Sequence, residues 1–390
     1  MDGPGHHGRM DRTAVTAVFF LTGAVSGTWA ARVPAIQEQL SLSPGELALA
    51  VLAIEAGAVA GLPLGAAAVA RLGERRSLRA GFAVFPAALV LATLAPGLGW
   101  LALALMVWAG ANSVIDVAMN AAGVRLEHAR ERPLLSGMHA AHSFGVLAGG
   151  LLAVAAVRAG VDLALHAALV AAPALAAGLA APRWIPSAGE RQSVFARPDR
   201  AAALLCAMAF CAFLCEGAAT NWSAVSLRSE HGAAPALATA GFTAFALALA
   251  VARLAGDRLV RRFGRARVVR LSAALAAGGA LLAIAAPTAP LAVLGWAVVG
   301  AGLAPLAPAL IGAAPGVTGA PAGVAIAAVT TIGYLGSFTG PPLIGAVAEA
   351  TDLSAALGLL AVAAAVTAVV APRALSARVA PTPSPAATGG

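Results

Sequence analysis

Apolar runs of about 20 residues follow one another along almost the whole chain, and that is the length a helix needs to cross a bilayer. Read as helices, they number about twelve. The first six lie near 13–31, 46–70, 80–95, 100–122, 136–157 and 163–181. The second six lie near 201–222, 236–256, 268–286, 290–312, 323–347 and 354–371. With 60% hydrophobic and only 11% charged residues, the chain has too little polar side-chain surface for a water-soluble protein of this length. The expected class is an all-α membrane protein.

A net charge of +8 and a pI near 11.1 would suit a nucleic-acid binder. The arginines, however, sit in short clusters between apolar runs, and aromatic residues make up only 5%. Positive-inside topology explains the clusters better, so no nucleic-acid partner is expected. With the N-terminus inside, 21 arginines fall in inner segments, three (Arg32, Arg158 and Arg228) in outer ones, and Arg253 within a span. Both termini are therefore expected in the cytoplasm, with the chain multi-pass in a bacterial inner membrane and in contact with its lipids. Cys206, Cys211 and Cys215 share one apolar segment and lack metal-ligand spacing, so they read as buried packing thiols. No cleavable signal peptide is evident.

The two sets of six spans repeat one another weakly. "RLGERR" at 71–76 matches "RFGRAR" at 262–267, 191 residues on, and at the same offset Gly145 and Gly149 match Gly336 and Gly340. Trp29 and Trp222 close the first and seventh spans. Internal two-fold symmetry of this kind marks transporters. The expected organisation is a first bundle over 1–181, a central cytoplasmic loop over 182–200, a second bundle over 201–372, and a disordered Pro/Ala/Thr-rich tail over 373–390.

Twelve spans, a long central loop and paired R-x-G-x-x-R loops resemble the Major Facilitator Superfamily along nearly the whole chain. The loop signature of that family is usually Asp-Arg-x-Gly-Arg-Arg. Here Ala70 holds the first aspartate position and Arg261 the second, with Asp257 one turn earlier. "GTWAARVPAIQEQLSLS", "DVAMNAAGVRLE", "EGAATNWSAVSLR" and "GYLGSFTGPPLIG" are similar to the fucose-permease-like branch and its uncharacterised bacterial relatives. The resemblance implies two six-helix bundles rocking about a midplane cavity lined mainly by spans one, four, seven and ten. It also implies solute movement that is often proton-coupled.

Within the fourth span, Asn112, Asp116 and Asn120 are four residues apart, which keeps them within about 80° of one another on a helix. An ionised carboxylate facing lipid costs about 3 kcal/mol on insertion scales, so Asp116 must face the bundle interior or water. It reads as a solute or proton site, or as a structural bond between spans four and five. His139 and His142 open the fifth span near the same depth. They read as proton-exchange partners, or as helix-start residues facing headgroups or loop carbonyls. Glu55 on span two and Glu216 on span seven are each a cavity acid or an inter-helix tie. Arg71, Arg75 and Arg76 leave span two on the same side as Glu127, and these charges are expected to pair when the inner side is closed. Asp257 joins this inner gate. Arg32 and Arg228 end spans one and seven, as interfacial anchors or as an outer gate. Pro305 with Pro308 on span ten, and Pro341 with Pro342 on span eleven, predict bends.

The leading functional reading is a secondary transporter of a small polar solute, with sugars among the candidates, coupled to protons. The alternative is a proton-driven exporter of amphipathic compounds. Against export, span five carries "SFGVLAGG" without the proline those exporters usually show. The sequence has no nucleophile–base pair or metal cluster to suggest an enzyme, and no G-x-x-x-x-G-K-[ST] loop to bind ATP. No cofactor or metal is expected, and the chain is expected to work as a monomer.

Overall fold

A computed structural model describes residues 4–42, 44–185, 200–233, 235–318 and 322–375. Most of the expected central loop and the tail beyond Leu375 lie outside these residues. Among the described residues every regular element is helical, and eleven helices are long and apolar enough to cross a membrane. One of them, Pro44–Thr93, has 50 residues. Straight, it would measure about 75 Å, more than twice the roughly 30 Å hydrocarbon core. It turns back at Gly73, whose φ of 76° and ψ of 165° are open only to a residue without a Cβ.

Packing demonstrates the reversal. Gly57, Gly61 and Gly65 meet Met106, Gly110 and Val114 in ascending order along the next helix. Gly81 meets Ile115, and Phe85 stacks on Trp108 with ring centroids 5.3 Å apart, in descending order. The long element is therefore two antiparallel spans, α2 (44–72) and α3 (74–93), and the spans total twelve. Around them are α1 (Pro4–Gln39), α4 (Leu98–Ala129), α5 (Leu135–Arg158) and α6 (Leu163–Ala180) in the first half. The second half has α7 (Arg200–His231), α8 (Pro235–Phe263), α9 (Arg265–Ala285), α10 (Ala289–Thr318), α11 (Ala322–Ala350) and α12 (Leu353–Leu375). The first helix is longer at both ends than the apolar run 13–31, and α12 takes in Arg373, which the sequence reading gave to the tail.

The weak sequence repeats encode the same contacts twice. Gly264, between α8 and α9, has φ 78° and ψ 154°, matching Gly73 in the first half. Gly145 and Gly149 of α5 lie against the backbone of Phe20 and Ala24 of α1, and Gly336 and Gly340 of α11 lie against Phe210 and Leu214 of α7. A Cβ at Gly145 or Gly336 would meet a carbonyl oxygen, so glycine sets how closely these parallel helices approach. The fold is thus two pseudo-symmetric six-helix bundles. The prolines behave unequally. The helix of α10 is interrupted between Leu303 and Leu306, at Pro305, whereas α11 stays helical through Pro341 and Pro342.

Candidate functional site

A cavity of about 340 Å³ lies between the halves, at the small end of the roughly 300–1,000 Å³ range of ligand sites. The first half supplies Ser26 from α1, Asn112, Asp116 and Met119 from α4, and His139 and His142 from α5. The second supplies Phe213, Glu216, Thr220 and Asn221 from α7, Arg253 from α8, Ala307 and Ile311 from α10, and Thr330, Tyr334 and Ser337 from α11. Thr220 and Asn221 are exposed, while Asp116 is buried. Four-residue spacing on α4 and α7 explains the polar stripes, because residues one turn apart share a face.

Of the expected stripe, Asn112 and Asp116 reach the cavity wall and Asn120 does not. Asn120 is 0% exposed. Its Nδ2–H donates to the Asp116 carboxylate at 3.1 Å and to the Asp116 backbone carbonyl at 2.9 Å, and its Oδ1 accepts from His139 Nε2–H at 3.1 Å. A chain of hydrogen bonds therefore runs from α5 through Asn120 to the carboxylate of Asp116. Helical spacing fixes which residues share a face but not how far that face extends into a neighbour, and here α5 covers the inner end of the stripe. The Thr22 hydroxyl lies 3.2 Å from His142 Nδ1 and donates its proton to the Phe19 carbonyl at 2.8 Å. His142 Nδ1–H then donates to Thr22, leaving Nε2 as the acceptor of that ring.

Across the cavity, Arg253 is buried within α8. One of its nitrogens donates to the Ser143 hydroxyl of α5 at 2.9 Å, and another lies 3.3 Å and 3.5 Å from the two carboxylate oxygens of Glu216. Arg253 thus links the halves at cavity depth. The sequence reading placed it in a span without assigning it to the site, although the rule applied to Asp116, that an ionisable group inside a span needs a polar reason to be there, points to it equally. Tyr334 forms an aromatic wall with Phe213 and Phe338, with centroids 5.7 Å and 6.5 Å away. Glu55, half-buried on α2, is not among the residues lining this cavity.

On the arginine-rich side the halves are tied by carboxylates at the start of α5. A helix leaves its first N–H groups without intrahelical partners. Glu127 of α4 accepts from the backbone of Leu134 at 2.6 Å and Leu135 at 3.0 Å. Asp257 of α8, in the opposite half, accepts from Ser136 and Gly137 at 2.8 Å each. Both negative charges also meet the positive end of the helix dipole. The expected pairing of Glu127 with Arg71, Arg75 and Arg76 is corrected by this geometry. Glu127 pairs with Arg265 of α9, 138 residues away, at 3.4 Å. Arg75 donates to the Arg183 carbonyl, Arg71 and Arg76 are exposed, and Glu74 takes Arg125 at 3.1 Å. Near the other side, Arg32 donates to the Val161 carbonyl of its own half at 3.2 Å, and Arg228 is exposed. Trp222, at the end of the seventh span, donates from its indole N–H to the Pro341 carbonyl at 3.1 Å and so ties α7 to α11. The molecule is closed on the arginine-rich side, and its cavity opens toward the other.

Comparison with known proteins adds three findings. A family model described as Major Facilitator Superfamily matches residues 205–390. An uncharacterized MFS-type transporter of Yersinia pestis is 33% identical over 91% of this chain and 93% of its own length, and an uncharacterized transporter of Sinorhizobium fredii is 31% identical over 92% and 96%. The crystal structure of the transporter FucP in the outward conformation superposes with a TM-score of 0.77 at 15% identity, covering 93% of this chain and 98% of FucP.

Proposed function

The chain belongs to the Major Facilitator Superfamily, and we propose that it is a secondary active transporter of a small polar solute, coupled to protons and working by alternating access. The single observation that carries this reading is the cavity between the halves. Both halves contribute polar side chains to it, and among the described residues hydrogen bonds between them tie its arginine-rich side. Sliding or rocking of the halves about that cavity would open the tied side and close the other. The polar lining favours a hydroxylated solute over an amphipathic one. Asn112 and Asp116 accept and donate to solute groups on the first-half wall, and Asn120 with His139 holds the Asp116 carboxylate in place. A charge at this depth becomes more costly as the cavity dries, so occlusion favours an Asp116 whose charge is met by a proton or by solute donors. The arginine distribution supports a bacterial inner-membrane location with both termini cytoplasmic.

Two measurements test the reading. A topology reporter after Gly390 should be cytoplasmic and one after Gly97 periplasmic, and a periplasmic C-terminus would overturn the orientation. In proteoliposomes with an imposed pH gradient, a solute found by thermal-shift screening of sugars, sugar acids and amphipathic cations should accumulate. Asp116→Asn, which keeps the shape of the side chain, should abolish that accumulation. A stable Asp116→Asn protein that accumulates solute normally removes Asp116 from the mechanism.

A further inference from the structure

The partners of Arg253 leave part of its guanidinium unused. Its side chain is 9% exposed and that of Glu216 is 33% exposed. A guanidinium meets a carboxylate best through two parallel N–H···O bonds. Here a single nitrogen serves both oxygens of Glu216, at 3.3 Å and 3.5 Å, and the buried Nε has no hydrogen-bond partner among the described residues. Burying an arginine with a donor unmet costs free energy that an acceptor on a bound solute would relieve. Both residues line the cavity, and the more exposed member of the pair is the carboxylate.

We propose that Arg253 is the recognition group for a carboxylate on the solute, that Glu216 holds its place in the empty cavity, and that the solute is therefore a small hydroxylated monocarboxylate. This rests on the transport reading above and names its substrate class. When the solute arrives, its carboxylate takes the Arg253 guanidinium and Glu216 is displaced. Two carboxylates cannot both stay ionised around one buried cation at low cost. Glu216 therefore takes one proton from the aqueous phase on the open side. One anion and one proton enter together, no net charge is added, and both leave when Glu216 returns to Arg253. The hydroxyls of the solute are met by Asn112, Asp116 and Thr220, which line the same cavity. Asp116, His139, His142 and Tyr334 are the other titratable groups on its wall, while α10 and α12 bring none to this depth.

The experiment measures the thermal unfolding and ligand affinity of the purified full-length protein. The probes are lactate, D-gluconate and D-glucuronate, set against D-glucose and glycerol at equal ionic strength. Comparing about pH 5.5 with about pH 8 reads whether binding takes up a proton. The carboxylates should stabilise the wild type, and bind more tightly at the lower pH, because each bound anion displaces Glu216 and brings one proton with it. Glu216→Gln should bind them at both pH values with that pH dependence lost. A surviving dependence would assign it to Asp116 or the histidines and overturn the role of Glu216. Arg253→Gln should weaken carboxylate binding about tenfold or more, the loss expected for a charge-assisted hydrogen bond. Arg253→Lys, which keeps the charge without the fork, should fall between. If neutral polyols bind through Asn112 and Asp116 while carboxylates do not, this proposal fails and the transport reading stands. If neither class binds, both fail.

Discussion

The contact between α8 and α5 and the contact between α2 and α11 occupy equivalent places in the two halves, yet they are made of opposite materials. Residues 191 apart correspond, so Leu62 matches Arg253, Ala66 matches Asp257, Ser136 matches Ala327 and Ser143 matches Tyr334. On one side Arg253 donates to Ser143 and Asp257 accepts from Ser136. On the other, Leu62, Ala66 and Ala327 form an apolar cluster with Val117, and Tyr334 packs against it. The cavity helices divide in the same way, since Asp116 lines the cavity from α4 and its counterpart Ala307 lines it from α10. The duplicated scaffold has kept its backbone approaches and let its side chains specialise. Apolar contacts are non-directional and tolerate small slides, whereas hydrogen bonds weaken steeply with misalignment. The polar contact can therefore select a conformation, and the apolar one can let the halves move.

Four variants probe that division. The largest effect is expected from Leu62→Arg, which copies the charge of α8 into the fully buried position on α2. Placed among Ala66, Val117 and Ala327, the arginine should cost about 3 kcal/mol or more, seen as lost folded yield and a lower melting temperature. Arg253→Leu combined with Glu216→Leu, the reverse exchange, should stay folded, because replacing a buried ion pair by hydrophobic residues is often close to neutral. Equal stability of the two variants would break the comparison. Next comes Asp257→Ala, which removes two hydrogen bonds to a charged acceptor, each worth about 1.5–3 kcal/mol. The closed arginine-rich side should lose about 3 kcal/mol, a population shift of about 100-fold. In a background lacking Cys206, Cys211 and Cys215, thiol labelling of Thr220→Cys at the exposed rim should then slow. Unchanged labelling would mean that Asp257 only caps its neighbour. The smallest effect belongs to Glu127→Gln. One oxygen still accepts from Leu134 and Leu135, and only the charge facing the part-exposed Arg265 is lost. The same assay should register about 0.5–1 kcal/mol. A shift as large as that of Asp257→Ala would move the lock from α5–α8 to α4–α9.

Properties that belong to one helix were legible in the sequence. Apolar length gave the spans, and the arginine-glycine repeat gave the paired reversals at Gly73 and Gly264. The four-residue spacing of Asn112 and Asp116 gave the first-half wall of the cavity. What depends on how one helix is turned against another was not legible. Asn120 has the spacing of a wall residue, but α5 packs over it. Glu127 was matched to arginines nearby in the chain, and its partner Arg265 comes from the other half. Charge alone makes Arg265 no more eligible than Arg71, Arg75 or Arg76; what decides is the packing of α4 against α10, whose Ala309 carbonyl also holds Arg265. Pro341 and Pro342 carry the same breaker signal as Pro305, yet α11 absorbs them within its helix.

The start of α5 also carries a built-in isotopic clock. The four amides from its cap residue Leu134 to Gly137 are divided between two owners, with Leu134 and Leu135 held from within the first half and Ser136 and Gly137 held by the second. When the halves part on that side, the first pair keeps its acceptor and the second pair meets water. Deuterium should therefore enter Ser136 and Gly137 once per opening while their two neighbours serve as the unexchanged reference. The ratio of the two rates would report how often the unmodified protein opens, with no label attached and no solute identified.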